Sequence, residues 1–597
     1  MAINRTIIVT VPSEAYVEKN SYVFVKDKNY YDPEKRYNRV KHTIIGKSIG
    51  NGQMYPNHNF RIRYPTLFEA AAGEQLPKPV KKLGFFTTVL SIAERTGLYD
   101  ALIASFGIEN ANRIMDLAMY YIIHHSCDTA DYQTVMAEQM LFMGSIWNQT
   151  NISTFFKEEL TEERTDLFLR LWTGACADRN SKEAWILIKS NEGGDAPIFS
   201  FVYAIDSRNG TPLSFSVCKG GTINFKVVIE MMGWLKAYGI KVNGVILNRR
   251  YATSDVFTLL DQGEVTYVAM MEDNTRGHRA MVNQYGDKIR MKYEYMLDRS
   301  ADQNRRMGVH VLFGTQSSEK IRLFSNHDYE GYACIIYDST GAEVRQETWF
   351  TQVAGVVRSL QQTLDQRRDA SSKKKDVNLP ADPPDIPADY AECIRIVTEK
   401  GETTVSVNQK LVQDIGNRKS FYTFASALPI TAEETAAIYT LQNYADEQFY
   451  MVSDPDMYVV ASEDTAHHSA EIKAKLTVNF IAAIIRNELV KACTESNISP
   501  KNLIDELNQI TMQLYGNSTY RVSHTQSAQQ IKLLQACGVD PADLDVIAQI
   551  ENVRIEGGEP DPHHRYPKPT GGTAGPPKGP GRPRGSRKKQ ELSPSVN

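Results

Sequence analysis

The hydrophobic pattern between Ala184 and Met271 predicts a sheet covered by helices. Three short apolar runs come first, separated by turn residues around Gly193 and Gly210. Runs of this length, bounded by Gly and Asn, indicate strands joined as hairpins. The elements that follow are a helix containing Val228, Met231, Met232 and Leu235, a strand Val242–Leu247, a short helix Asp255–Leu260 and a strand Val265–Met270. This order predicts an α/β fold with a mixed sheet.

The pattern divides the remaining chain into several further segments. The predicted organisation is a β-rich N-terminal module at 1–65, a helical domain at 66–180, the first part of a core at 181–271, a β-rich insertion at 272–362, a linker at 363–390, the closing part of the core at 391–496, C-terminal helices at 497–555 and a disordered basic tail at 556–597. The helices expected in the helical domain are Phe85–Thr96, Asn112–His124, Gln133–Trp147 and Glu159–Ala177, and those expected near the C-terminus are Lys501–Leu514, Ser527–Ala536 and Pro541–Ile550. Thr431 and Glu434 predict a capping box at the start of another helix.

Composition places the chain among ordinary globular proteins. Of its 597 residues, 42% are hydrophobic and 23% are charged, which is typical of that class. No apolar run reaches the length of a membrane-spanning helix, and the start lacks the layout of a signal peptide. The seven cysteines contain no CxxC pair, so we expect reduced thiols and a cytoplasmic protein without membrane association.

The net charge of −4 conceals a basic C-terminus. From Pro562 onward eight Lys and Arg face one Glu, which leaves the tail near +7 and the remainder near −11. The sequence Pro-Gly-Arg-Pro-Arg-Gly resembles an AT-hook, an extended segment that enters the A·T minor groove. The tail residues expected to contact DNA are Arg582, Pro583, Arg584, Arg587, Lys588 and Lys589.

Basic residues also mark a predicted N-terminal hairpin, formed by Ser21–Tyr30 and Tyr37–Gly46. Its candidate phosphate contacts are Lys35, Arg36, Arg39 and Lys41, and a solvated hairpin face is the alternative interpretation. The neighbouring His124, His125 and Cys127 do not have the spacing of a structural zinc site. We therefore predict no metal site and no cofactor in this chain.

Four segments resemble DDE transposases of the insertion-sequence-four superfamily. They are Ile186–Asn191, Val245–Tyr251, Phe421–Ser426 and Leu476–Arg486, together with a spaced pattern formed by Pro197, Ile198, Phe199, Tyr203, Asp206, Pro212 and Leu213. The resemblance covers most of residues 20–490. It implies a ribonuclease-H-like mixed sheet with flanking helices, and DNA as the partner.

The catalytic positions of that family are altered in this sequence. The resemblance aligns its three acids with Lys189, Asn248 and Asp446. Such enzymes hold two Mg²⁺ ions about 3.5–4 Å apart, and Mg²⁺ takes carboxylate oxygens. An ammonium group at one of these positions has no lone pair to donate to a metal ion. At an effective dielectric of ~20 it also repels a positive unit charge ~4 Å away by about 4 kcal/mol. We predict that Lys189 forms an ion pair with Asp446 instead of a metal site.

These features predict a transposase-derived DNA-binding protein that has lost its catalytic chemistry and resides at a bacterial nucleoid, with homodimer formation left open. Arg249 and Arg250, which follow Asn248, are further candidate DNA contacts. A first alternative is an active transposase, dependent on Mg²⁺ or Mn²⁺, whose acids are displaced to Glu192, Asp195 or Asp255. A second alternative is a module whose former DNA surface binds a protein.

Overall fold

The computed structural model describes most of the chain. The described ranges are 7–18, 21–32, 37–72, 80–190, 199–219, 225–297, 311–372, 384–399, 402–458, 465–496, 499, 502–515 and 519–555. Within these ranges the fold is mixed α/β, as predicted. No helix of the described residues has the length and apolar character needed to cross a membrane.

Nineteen strands and eighteen α-helices are formed by the described residues. The strands are β1 (Val9–Thr10), β2 (Tyr16–Val17), β3 (Tyr22–Asp32), β4 (Tyr37–Gly50), β5 (Gln53–Pro56), β6 (Val80–Lys82), β7 (Glu183–Ser190), β8 (Phe199–Asp206), β9 (Pro212–Lys219), β10 (Lys241–Leu247), β11 (Tyr267–Met270), β12 (Leu312–Gln316), β13 (Ile321–Arg322), β14 (Glu330–Asp338), β15 (Ile394–Glu399), β16 (Glu402–Val407), β17 (Phe421–Ser426), β18 (Thr511–Tyr515) and β19 (Thr519–Val522). The helices are α1 (His58–Arg63), α2 (Pro65–Ala72), α3 (Gly84–Arg95), α4 (Leu98–Phe106), α5 (Ile108–His124), α6 (Tyr132–Met136), α7 (Gln149–Glu158), α8 (Glu162–Ala177), α9 (Phe225–Ala237), α10 (Ser254–Gln262), α11 (Arg276–Ile289), α12 (Ser339–Ser372), α13 (Gln409–Lys419), α14 (Ala432–Gln448), α15 (Thr465–Ser496), α16 (Leu503–Asn508), α17 (Ala528–Ala536) and α18 (Asp543–Ile555).

The central sheet contains every strand predicted between Ala184 and Met271. Its order is β12-β14-β17-β11-β10-β7-β8-β9, and β13 pairs with β14. Strands β7, β8 and β9 pair in antiparallel fashion, whereas β10 runs parallel to both β7 and β11. On the other side, β17, β14 and β12 continue the sheet with antiparallel pairs. The carboxyl ends of β7, β10 and β11 therefore meet at one edge.

Aromatic side chains fix one face of this sheet against the helices. Leu187, Tyr203 and Phe215 form a row across β7, β8 and β9. The ring centroids of Tyr203 and Phe449, at the end of α14, are 4.5 Å apart. Those of Phe215 and Phe480, on α15, are 4.8 Å apart. Because these rings are almost fully buried, they set the distance between the strand ends and the end of α14.

A glycine allows β10 to pair closely on both sides. Gly244 has a φ of 151°, and a Cβ atom there would collide with the carbonyl oxygen of Thr266. The pairing of β10 with β7 shifts register between Val242 and Gly244. Only glycine combines this backbone conformation with so close an approach.

Two helices that position the site were anticipated from the sequence. Thr431 and Glu434 form the predicted capping box at the start of α14. The segment Leu476–Arg486 lies within α15, which packs against α5, α7 and α17. Because its residues from Leu476 to Ile485 are nearly all buried, α15 is a central helix of the core.

The predicted β-rich insertion at 272–362 is wrong in part. Strands β12, β13 and β14 do form there, but they extend the central sheet, and α11 and most of α12 occupy the remainder. The apolar and β-branched residues near Trp349 favoured a strand, yet Trp349, Val353, Leu360 and Leu364 are buried at helical spacing. Helix α12 also continues to Ser372, into the range predicted as a linker.

Of three further predictions, two helices are shorter than predicted and one hairpin is present. The C-terminal segment predicted as a helix at Lys501–Leu514 contains the short α16 followed by β18, which pairs with β6 and β19. The helix predicted at Gln133–Trp147 is limited to α6, because Lys82 pairs with Gln139 in an isolated bridge and ends it. The predicted N-terminal hairpin is correct, since β3 and β4 lie in a five-stranded sheet.

Candidate functional site

The two strand positions aligned with catalytic acids lie side by side. Val245 pairs with Ile186, and Ile246 pairs with Leu187, in the parallel ladder between β10 and β7. Continued by two residues, this register brings Asn248 beside Lys189. Because side chains alternate along a strand, Lys189 lies on the face that carries Leu187, which is the face packed against α14.

The third position completes this group from α14. The Nζ atom of Lys189 lies 3.4 Å from Oδ1 of Asp446, so the predicted ion pair is present. The same ammonium group donates to the carbonyl oxygens of Asp446 at 3.5 Å and Phe449 at 3.3 Å. Lys189 is largely buried, with 15% of its side chain exposed, whereas Asp446 is 48% exposed. The pair therefore lies at the rim of the core.

Lys189 also stabilises the end of α14. The last carbonyl groups of a helix have no partner within it and carry partial negative charge. Lys189 binds the carbonyl groups of Asp446 and Phe449, and Arg486 of α15 donates from Nη2 to the carbonyl oxygen of Gln448 at 2.6 Å. Two cations thus cap one helix terminus.

The protonation of these groups follows from their burial. Burial raises the pKa of the Asp446 carboxyl, and the Lys189 ammonium opposes this by lowering it. Burial also lowers the pKa of Arg486 to about 10, and its guanidinium lies 5.1 Å from the ring centre of Tyr450. The site thus contains two basic side chains, Lys189 and Arg486, beside one carboxyl group.

Asn248 follows the last residue of β10, and its side chain is an amide rather than a carboxylate. It precedes the 3₁₀ turn Arg249–Tyr251, and its carbonyl oxygen accepts from the Tyr251 amide at 3.1 Å. Its Oδ1 atom is buried and has no hydrogen-bond partner among the described residues. One amide, one ammonium and one carboxyl do not match the carboxylate oxygens that a pair of Mg²⁺ ions requires.

Further basic residues continue along this edge of the sheet. Arg249 and Lys419 both pair with Asp273, at 3.2 Å each. Arg345 lies over the ring of Tyr422 at 4.1 Å and donates to the carbonyl oxygens of Lys419 and Ser420 at 3.0 Å. We call the five cations of this edge the basic edge; they are Lys189, Arg249, Arg250, Arg345 and Lys419. With Asp273, Asp338 and Asp446 as its acids, the basic edge has a net charge of +2.

Several residues of this site were not predicted from the sequence, among them Lys419 at the end of α13. Asp273 follows β11 by three residues, so the rule that placed Asn248 after β10 could have identified it. Arg486 interrupts an apolar helical segment, which signals a buried functional or structural cation. Arg345 gave no signal, because its partners are 74 to 77 residues distant in the chain.

The other predicted DNA contacts are only partly placed. Arg250 is exposed in the turn after Asn248. Arg39 and Lys41 lie on β4, opposite Tyr30 and Lys28, and their side chains are outside the described part. The remaining candidates, which also lie outside the described residues, are Lys35, Arg36, Arg582, Pro583, Arg584, Arg587, Lys588 and Lys589.

The alternative acids do not join this group in the parts described. Asp255 is exposed in the first turn of α10, where an acid suits the helix dipole, and Glu192 and Asp195 lie outside the described residues. His124 and His125 end α5, where His125 adopts a φ of 55°. Across the described ranges, no three His, Cys, Asp or Glu side chains form a group that could hold a metal ion.

The arrangement as a whole is suited to binding anions. A net positive edge attracts phosphate groups, and its guanidinium groups match their oxygen geometry. Comparison of the chain with protein-family models and with curated proteins gave no match. The geometry of the site is therefore the basis on which a function is assigned.

Proposed function

We propose that this protein binds DNA through a ribonuclease-H-like core related to that of DDE transposases, and that an ion pair replaces its catalytic metal ions. The sheet order supports the first part of this proposal. Strands β7 to β9 form a meander, and β10 and β11 add in parallel on the other side of β7. That is the strand order of the ribonuclease-H-like fold, in which catalytic acids lie at the ends of the first and fourth strands.

The ion pair between Lys189 and Asp446 is the observation that carries the proposal. Its ammonium group lies 3.4 Å from the carboxyl group, and we infer that it takes the place of a divalent cation that would bridge two acids. A metal ion entering this place would have to displace an ammonium group that has three acceptors, namely one carboxylate and two carbonyl oxygens. The remaining activity is binding without cleavage.

The basic edge supports DNA as the ligand. Its net charge of +2 lies on a protein whose overall charge is −4, so the positive charge is concentrated locally. Arg249 and Lys419 keep 28% and 31% of their side chains exposed. Phosphate contacts of this kind are independent of base sequence and weaken with salt.

The proposal is tested by titrating a fluorescent DNA duplex with the full chain at several salt concentrations. We expect a linear decline of log affinity with log salt concentration, and a slope reduced by about 1 to 2 in the Arg249→Ala/Arg250→Ala variant. The matched control is Lys236→Ala/Lys241→Ala, which removes two exposed cations near the opposite edge of the sheet. Equal effects of the two variants, or binding that does not respond to salt, would reject the basic edge as the DNA surface.

Cleavage is tested separately with supercoiled plasmid and Mn²⁺. We expect no nicking by the natural chain. Nicking that disappears in Asp446→Ala would establish the active alternative and overturn the loss of catalysis. Failure to bind DNA at any salt concentration would instead favour a protein-binding module.

A further inference from the structure

A second positively charged site lies at the opposite edge of the central sheet. It is a cavity of about 300 Å³ between the ends of α3 and α8, the β8–β9 turn and the C-terminal half of α15. The residues that line it are Arg95, Thr96, Trp172, Arg179, Asn180, Asn209, Thr211, Glu488 and Lys491. Six residues of β7 separate the two edges, a distance of about 20 Å at a rise of ~3.3 Å each. The cavity is therefore distinct from the site at Lys189.

The charge of the cavity is positive despite its carboxylate. Glu488 accepts from Lys491 at 2.6 Å and lies 3.0 Å from Arg95. Burial alone would raise the pKa of Glu488, but Lys491, Arg95 and Arg179 together hold it below its usual value. Three cations and one carboxylate leave a net charge of +2 around a small volume.

Fixed contacts hold the cationic groups in place before any ligand arrives. Arg179 donates from Nε to the carbonyl oxygen of Ala175 at 3.0 Å and from Nη1 to that of Arg95 at 3.3 Å. Its guanidinium lies 5.6 Å from the ring centre of Trp172, and Lys491 donates to the Thr211 hydroxyl at 3.0 Å. Preorganised donors of this kind lower the entropic cost of binding.

Donor groups remain after these contacts are made. A guanidinium has five N–H donors. The carbonyl contacts of Arg179 use its Nε and Nη1 atoms, the side chain of Cys176 is a further hydrogen-bond partner of Arg179, and the ion pair of Arg95 uses its Nη2 atom. The side chains of Asn180 and Asn209 add amide groups at the wall, 3.3 Å apart. The cavity thus presents charged guanidinium groups beside neutral amide groups. Guanidinium groups bind the oxygens of a phosphoryl group, and amides can bind the polar remainder of the same ligand.

We propose that this cavity binds a small phosphorylated molecule, with its phosphoryl group held by Arg95, Arg179 and Lys491. A phosphate monoester carries a charge of about −1.5 to −2 at neutral pH, which balances the +2 of the site. The volume is at the lower end of the range for small-molecule pockets, so the ligand is of the size of a sugar phosphate or a nucleoside monophosphate. This site is independent of the DNA-binding function, because it lies at the other edge of the sheet.

The test is calorimetric titration of the full chain with AMP in the absence of DNA, and with adenosine as the ligand that lacks phosphate. We expect saturable binding of AMP and none of adenosine. The variants Arg95→Ala and Arg179→Ala are each expected to weaken AMP binding at least tenfold, the scale of one charge-assisted hydrogen bond. The control Arg170→Ala removes an exposed cation of α8 outside the cavity and is expected to leave the affinity unchanged.

Further controls distinguish a loss of binding from a loss of folding, and a small ligand from a DNA end. Thermal unfolding of each variant establishes that it is folded, and Lys491→Met provides a third variant that leaves both arginines in place. A single-stranded oligonucleotide with and without a 5′-phosphate distinguishes a DNA end from a small ligand. Absence of AMP binding, equal affinities of Arg179→Ala and Arg170→Ala, or binding of the 5′-phosphorylated oligonucleotide alone would overturn the proposal.

Discussion

Lys189 and Asp446 are 257 residues apart in the chain, yet the Nζ atom of the one lies 3.4 Å from Oδ1 of the other. The lysine reaches this position from the end of β7, and the aspartate from the last turn of α14. A single ammonium group thereby neutralises a carboxylate and binds the end of a helix. The pair is thus a structural contact between β7 and the end of α14.

The two members of this pair are expected to contribute unequally to stability. Lys189→Met leaves two carbonyl groups without their donor, so we expect the free energy of unfolding to fall by about 1–3 kcal/mol. Asp446→Asn is expected to cost less than about 1 kcal/mol, since this side chain is half exposed and its charge is screened by solvent. Urea denaturation measures both, with Lys226→Met of the exposed pair with Glu230 as the control. A larger loss in Asp446→Asn than in Lys189→Met would contradict the capping role.

Placing acids at positions 189 and 248 is expected to create a cation site. The double variant Lys189→Asp/Asn248→Asp would place three carboxyl groups at the ends of β7, β10 and α14, the ligand type that Mn²⁺ and Mg²⁺ prefer. We expect this variant to bind Mn²⁺ in calorimetry, and the additional change Asp446→Ala to remove that binding. Mn²⁺ binding by the natural chain that is lost in Asp446→Ala would show that Lys189 does not exclude the metal.

A buried ion pair connects a strand near the N-terminus with a helix near the C-terminus. Lys81 of β6 and Glu551 of α18 contact each other with 7% and 0% of their side chains exposed. Glu551→Gln would leave the ammonium group buried beside a neutral amide, and we expect a loss of about 3–5 kcal/mol. The double change Lys81→Met/Glu551→Leu is expected to cost less than the single one, because no unpaired charge remains.

Lys82→Met is a matched control for this prediction. Lys82 is the next residue of β6, and its ion pair with Glu138 is open to solvent, with 33% and 68% of the two side chains exposed. A change of about 0–1 kcal/mol is therefore expected. Chemical denaturation of the four proteins provides the comparison. The prediction fails if Glu551→Gln and Lys82→Met unfold at the same denaturant concentration.

Acid is expected to destabilise the fold through His278. This side chain is fully buried between the Thr423 hydroxyl and the Arg418 carbonyl oxygen, and burial lowers its pKa from 6.5 to about 4. Below pH 6.5 the unfolded chain therefore binds a proton that the folded chain excludes, so stability falls as the pH drops toward 4. At 1.36 kcal/mol per pKa unit the loss is about 3 kcal/mol.

The measurement for this prediction is the free energy of unfolding between pH 7 and 4. His278→Gln retains hydrogen-bonding groups without a titratable ring, and we expect its stability to depend less steeply on pH over that window. His327→Gln serves as the control, because that ring is exposed. Parallel pH curves for the natural chain and His278→Gln would exclude this residue as the cause.

The sequence alone determined the strands β7 to β11 and the capped start of α14. Their apolar runs are short and bounded by turn residues, and Thr431 acts on an amide three residues away, so the information is local. It also aligned Lys189, Asn248 and Asp446 and predicted an ion pair from the charges at those positions.

Tertiary structure decided what local patterns could not. The segment around Met512 is a strand because β6, some 430 residues earlier, supplies a pairing partner, and Trp349 lies in a helix because α13 and Tyr390 cover it. The partners of Asp273 and the walls of the cavity around Glu488 come from segments distant in the chain. Burial and pairing between distant segments contribute more free energy than local propensity, and only the folded chain brings those segments together.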